Sequence, residues 1–296
     1  KVGLSIGRAS LISYSHSLRL KAGFQGQRVA FRQDPRHAPA ETGGKREREM
    51  TISNQNFRED RVDLAAAFRW TARLNMHEAV ANHFSLAVNE AGTRFLMNPN
   101  QMHFARIRAS DLIEIDATDP ATLDQPNAPD PTAWGLHGAI HRHVPWARCA
   151  MHVHSIHATV LASLADSTLP PIDQNSATFY NRTIIDSSYG GLAFEAEGER
   201  IASMMTDPKK KVVIMGNHGV MIVGATVAET FNRLFYFERA AETYIRALQT
   251  GRPLRVLSHE IAEKTARELE EYPDQDTRHL TELKAILDEE SSNYAQ

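Results

Sequence analysis

Apolar and polar positions follow two different periods along this chain. Short aliphatic and β-branched runs, bounded by Gly, Pro, Asn or Asp, recur at residues 84–88, 94–97, 112–116 and 149–153, and on both sides of Gly216-Asn217-His218-Gly219. Runs of that length and composition predict strands. Between them apolar residues fall at helical spacing. Residues 60–77 place Leu64, Phe68, Trp70, Ala72 and Leu74 on a helix, 134–143 form a second that ends before Pro145, and 195–205 a third. Residues 225–248 predict a long helix with Phe231, Leu234, Phe235, Ala241, Tyr244 and Ile245 along its face. Thr226 is its N-cap, Glu229 stands at the capping-box position, and Gly251-Arg252-Pro253 stops it. Asn89-Glu90-Ala91-Gly92 reads as a hairpin connection, and the proline-rich stretch 119–131 as a surface loop. Residues 175–186 are mixed and predict no regular element, whereas 258–290 are charged and helical, the pattern of a surface or intersubunit helix pair. Helix, strands, helix, strand, helix, strands, helix is the order of a sheet covered by helices on both faces, and the early hairpin argues that the sheet is not purely parallel.

The stretch Cys149-Ala-Met-His-Val-His-Ser-Ile-His carries the most chemistry. It reads as a buried strand running into a helix capped by Ser155, so His152 and His154, two apart, project to one face at the strand's C-terminal end. An apolar core has little use for two adjacent imidazoles, and together they can take one divalent ion. His218, in the turn between two later strands, is the third candidate. Three histidines from two strand ends leave a coordination position open, as at a catalytic rather than a structural zinc. The competing reading is three separately hydrogen-bonded histidines in a chain that has 14.

Composition narrows the setting. At 296 residues the chain holds one large domain with extensions or two small ones, and a net charge of -3 gives no reason to expect nucleic acid or an anionic membrane as partner. No stretch approaches transmembrane length. The single Cys149 excludes an intrachain disulfide, suits a reducing compartment and a cytoplasmic location, and leaves metal binding to His and carboxylate. Residues 1–49 are basic, without a sustained apolar period, and read as a disordered extension; upstream sequence from a misplaced start, a transit peptide and a genuine basic arm are the alternatives. Residues 50–255 form the patterned domain and 256–296 a charged C-terminal helical extension.

In combination and in this order, Asn82-His83-Phe84-Ser85, Met97-Asn98-Pro99, Ala109-Ser110-Asp111-Leu112, the His152-Val153-His154 strand and the Asn217-His218-Gly219 turn resemble the class II aldolase/adducin family over roughly residues 60–250. The resemblance implies an α/β/α sandwich with a largely antiparallel central sheet, often as a tetramer with active sites between subunits. It also implies a zinc held by residues matching His152, His154 and His218, with iron or manganese as alternatives, and lyase or isomerase chemistry through an enediolate of a small hydroxy-carbonyl compound. Two departures matter. Ala133, in Thr132-Ala133-Trp134-Gly135-Leu136-His137, stands where the aldolases carry their catalytic Glu, and Pro131-Thr132 replaces a phosphate-holding Ser pair. The missing Glu resembles the adducin-type branch, so a non-catalytic interaction protein is the alternative.

Candidates to replace the Glu are His137, as fourth ligand or proton carrier, its helical neighbours His141 and His143, and Tyr180 or Tyr189 as proton donors. His157 would orient the ligands, and Arg182 is a candidate anion clamp.

Overall fold

The structure, a computed structural model, describes residues 57–192 and 195–296; the basic extension expected over residues 1–49 lies outside them. Seven strands form one sheet: β1 (His83–Ala87), β2 (Arg94–Met97), β3 (Ile113–Asp116), β4 (Cys149–Val153), β5 (Thr183–Asp186), β6 (Val212–Met215) and β7 (Gly219–Gly224). Their order is β3-β2-β1-β4-β7-β6-β5, antiparallel throughout except for the edge pair β5–β6. The described helices are α1 (Arg58–Arg73), α2 (Pro131–His143), α3 (Ile156–Ala162), α4 (Gln174–Thr178), α5 (Glu195–Met204), α6 (Val227–Gln249), α7 (His259–Glu270) and α8 (Gln275–Glu289).

Both faces of the sheet are covered, which is why its central strands read as continuous apolar runs. Phe84, Leu86, Cys149, Met151, Val153, Ile214 and Ile222 face α1, α3, α6 and α8 in the larger core. Ala150, Val213, Met215, Met221 and Val223 face the other way, against Leu136, Ala139 and Ile140 of α2 and Ile201 and Ala202 of α5. Phe95, Met97 and Ile115 continue that layer beneath Ala133 and Trp134. The pattern predicts the helix-covered sheet, and the α/β/α sandwich with a largely antiparallel sheet is the one the family resemblance implies.

Three local expectations are revised. Residues 175–186 contain α4 and β5; the strand has only four residues at a sheet edge, with Ile184 inward and Ile185 exposed, too short for a two-residue period to register. The charged segment 258–290 is two helices of different character. Only small residues of α7, Ala262 and Ala266, are buried, but α8 sinks Leu280, Leu283 and Leu287 into the larger core, and Trp70 Nε1 donates to the Leu283 carbonyl at 2.9 Å. Three leucines at i, i+3 and i+7 make a narrow stripe that the surrounding charges mask. The caps also differ. Ser155 makes no side-chain cap to α3; its hydroxyl donates to Glu238 at 2.6 Å, and the Glu238 carboxylate receives the N–H groups of His157 and Ala158 at 3.0 Å each. Thr226 does cap α6, whereas Glu229 accepts from Ala225 N–H and pairs with Lys211 and Arg233.

Cys149 lies fully buried in β4, where burial pushes its thiol up to about 12, so its reduced state reflects packing and says nothing of compartment. No helix among the described residues is long and apolar enough to cross a membrane. Because α8 belongs to the core, Leu280→Ala is expected to lower the stability of the full chain by about 2–5 kcal/mol, read as a lower urea midpoint, while Glu282→Ala on the exposed side of the same helix leaves it unchanged. Equal midpoints for the two variants would return α8 to the periphery.

Candidate metal centre

β4 and β7 run antiparallel, with Val153 opposite Val220, so the C-terminal end of β4 meets the start of β7. His152 and His154 leave the sheet there on one side, and His218 reaches the same point from the β6–β7 turn. That turn is made by Asn217, in the left-handed region at φ 58°, a conformation Asn tolerates better than most residues. Gly219 serves a different purpose. A Cβ on it would stand 2.5 Å from the Val153 carbonyl oxygen and 2.8 Å from the His154 ring, so only glycine lets the strand pass that close. The three imidazoles are brought together with every pair of ring centroids 4.8 Å apart.

Their hydrogen bonds determine which nitrogens face inward. A carbonyl can only accept, so His152 carries its proton on Nδ1, which donates to Val220 O at 3.0 Å. His154 Nδ1 likewise donates to the Glu78 carboxylate at 2.5 Å. His152 then presents a bare Nε2, and it stands 2.9 Å from His154 Nε2. At that distance a proton or a metal cation must lie between the two nitrogens. Burial and the neighbouring His83, His154 and His218 hold His152 well below the ordinary histidine range, and burial, then His154, brings His218 down to about 4, so His152 and His218 keep their lone pairs at neutral pH. One candidate ligand atom from each of the three lies within 4.8 Å of the others. Ligand nitrogens around a tetrahedral zinc, at about 2.0–2.1 Å from the ion, are roughly 3.3 Å apart, so small ring rotations bring the three onto one divalent ion.

The centre opens on a cavity of about 270 Å³ lined by His83, Asn82, Asp130, Ala133, Tyr189 and neighbouring residues. Asn82 accepts the Glu78 N–H at 2.7 Å through Oδ1, which orients the amide and leaves its NH2 buried without a partner among the described residues. A larger cavity of about 440 Å³ lies elsewhere, against α4, α6 and α7, where Lys211 and Arg233 are already paired with Glu229.

Asn82 belongs to a motif that the sequence displayed, but Glu78, which bonds His154, was not legible there: it lies in an aperiodic loop before β1. Of the other candidates, His137 does not approach the metal position. It is fully buried, with Nε2 against His83 Nδ1 at 2.7 Å and Nδ1 against Ser85 Oγ at 2.5 Å. His141 stands beyond it, Nε2 at 2.7 Å from Ser85 Oγ and Nδ1 at 2.9 Å from the Ala147 carbonyl. With both its hydrogen-bonding functions engaged in the protein interior, Ser85 is not free to hold a phosphate. Tyr180 is not brought to the cavity within this chain; its hydroxyl bonds His259 Nδ1 at 3.0 Å. Tyr189 does line the cavity, its ring 6.0 Å from that of His218. Arg182 is not an open anion clamp, since it pairs with Glu263 at 2.5 Å and Glu270 at 3.0 Å. His157 bonds Glu238 and His143 pairs with Glu199.

Burial holds His141 down to about 4 and His83 to about 3, and lowers His137 well below its ordinary value. Unfolding returns each to about 6.5, so the unfolded chain binds protons that the folded chain refuses. Stability from these groups is full above that value and is lost as pH falls toward about 4. The urea midpoint of metal-free protein is therefore expected to drop between pH 7 and 5, above the range where carboxylates titrate; a flat profile there would contradict neutral buried rings.

Comparison with known proteins places this geometry in a family. The chain is 31% identical over 208 residues to a Caulobacter vibrioides protein whose name assigns it to aldolase class 2, covering 70% of this chain and 79% of that one. It is 26% identical over 207 residues to the decarboxylase NovR of Streptomyces niveus, 69% of this chain and 75% of the relative. The crystal structure of an aldolase II superfamily protein from Pseudomonas syringae superimposes with a TM-score of 0.72 at 27% identity, over 81% of this chain and 96% of that one. The pattern of the class II aldolase and adducin N-terminal domain matches residues 62–245, and the chain belongs to that family.

Proposed function

We propose that the protein is a divalent-metal-dependent lyase or isomerase acting on a small hydroxy-carbonyl compound, with His152, His154 and His218 as the ligands and zinc as the first candidate ion, iron or manganese following. The observation that carries this reading is the meeting of three imidazoles at the wall of a cavity, with the Nε2 atoms of His152 and His154 2.9 Å apart. The ion, when bound, supplies a Lewis acid for a carbonyl or enediolate oxygen. The chain's own residues do the rest. Val220 O and Glu78 hold the tautomers of His152 and His154, Asn82 offers a free N–H donor to the cavity, and the Tyr189 hydroxyl is the candidate proton donor.

The cavity suits a substrate of a few carbons. No Lys or Arg is among its described lining residues, and Asp130 is, which favours an unphosphorylated compound. Ala133 brings a methyl group where the aldolases carry a carboxylate, so this substrate need not be that of the aldolases. We also assign to this reading a cytoplasmic setting and a homo-oligomer, a tetramer with sites between subunits. The exposed Ile156, at 58%, and Val160, at 40%, sit side by side on α3 next to the ligands and suit such an interface.

Elemental analysis of the purified chain is expected to find about one metal ion per chain, and His152→Ala, His154→Ala or His218→Ala to lower occupancy at least about tenfold. Unchanged occupancy in all three variants overturns the centre. Chelation is expected to abolish turnover of small hydroxy-carbonyl compounds and re-addition of one divalent ion to restore it. Metal bound at full occupancy without turnover of any such compound would favour the non-catalytic, adducin-like reading.

A further inference from the structure

His83 has no role in the ligand set, yet it pairs with His152 across the β1–β4 ladder and lines the cavity beside the ligands. Behind it runs a continuous buried chain of hydrogen bonds: His83 Nδ1 to His137 Nε2, His137 Nδ1 to Ser85 Oγ, Ser85 Oγ to His141 Nε2, and His141 Nδ1 to Ala147 O. One end is fixed, because the Ala147 carbonyl can only accept. With each ring neutral in its buried surroundings, every proton along the chain is then assigned. His141 carries its proton on Nδ1 and accepts the Ser85 hydroxyl at Nε2. The Ser85 oxygen accepts from His137 Nδ1–H, and His137 Nε2 accepts from His83 Nδ1–H. His83 is left with a bare Nε2, which makes no hydrogen bond to the protein among the described residues.

We propose that this relay exists to hold His83 in one tautomer, so that its Nε2 accepts a hydrogen bond from a hydroxyl of the substrate in the cavity, making His83 the residue that selects hydroxy-carbonyl compounds over plain carbonyl compounds. His137, Ser85 and His141 are positioning residues in this assignment. The ordered chain answers a real difficulty. A lone neutral imidazole interconverts between two tautomers, one of which would present an Nε2–H donor and could not accept from the substrate hydroxyl. Three partners behind the ring remove the choice. The effect acts at a distance, since His141 lies on α2 and touches no cavity residue through its own hydrogen bonds except by way of Ser85 and His137.

The proposal rests on the metal-centre reading for its substrate class, but the tautomer does not. Long-range proton–nitrogen correlation spectra of the nitrogen-15-labelled full chain, metal-free and zinc-loaded, are expected to show His83 protonated at Nδ1 and bare at Nε2 in both. Protonated Nε2 in the wild-type chain overturns the proposal directly. In Ser85→Ala, with zinc content unchanged, both tautomers of His83 should appear; retention of the single tautomer would show that the relay does not set it. Titration of zinc-loaded protein with hydroxyacetone and with acetone is expected to give about threefold to tenfold tighter binding of the hydroxyl-bearing probe, the value of one hydrogen bond, and loss of that preference in Ser85→Ala and His83→Phe. Equal binding of the two probes by wild-type protein overturns the assignment of His83. A chain that takes up no zinc would instead defeat the metal-centre reading, while its metal-free spectrum still decides the tautomer.

Discussion

The close passage of β7 across the end of β4 is the constraint on which the functional end of this protein depends. Two strands that pair antiparallel bring opposite chain directions to one edge, so a ligand pair at the end of one strand can meet a turn at the start of the other. The fit leaves no room for a side chain at Gly219. The same ladder that builds the core thus delivers three imidazoles to one point, and β1, on the other side of β4, adds a fourth ring at His83. Precision of this kind is available to strands packed on both faces, where helices prevent the ladder from flexing.

Polarity is handled by hydrogen bonds that assign protons, with few net charges near the reaction space. Val220 O and Glu78 orient the His152 and His154 rings from outside, and Asn82 ties Glu78 and the backbone of His154 to the loop before β1. Behind His83, the fully buried Ser85 has its hydroxyl between His137 and His141. Where the aldolases carry a carboxylate, Ala133 offers only packing, and Asp130 is instead spent on capping α2 at its N-terminus. The candidate site sets neutral donors and acceptors around the point where the three imidazoles meet.

Much of this was legible before any coordinates. Strand runs, the His152–His154 spacing and the turn at His218 are local patterns with a period, and period survives in sequence. What was not legible depends on contacts between distant segments. The Ser85 hydroxyl reads as one member of a short motif, and nothing local says that it bridges two histidines more than fifty residues away. Tyr180 and Arg182 look like free functional groups in sequence because their partners, His259 and the Glu263 and Glu270 pair, lie on α7. The α8 leucines are periodic but outnumbered by charge, and edge strand β5 is too short to show a period.

The last helix has a consequence for how the molecule comes into being. Trp70 of α1 bonds the Leu283 carbonyl, Arg69 bonds Asn293, Lys284 pairs with Asp63, and the carbonyls of Tyr294 and Gln296 receive the N–H groups of Ala109 and Ser110. The first helix of the described fold is therefore held by residues more than two hundred positions later, contacts that a growing chain cannot make. On the ribosome, α1 keeps part of its apolar face uncovered until residues 280–294 have been made and have left the exit tunnel.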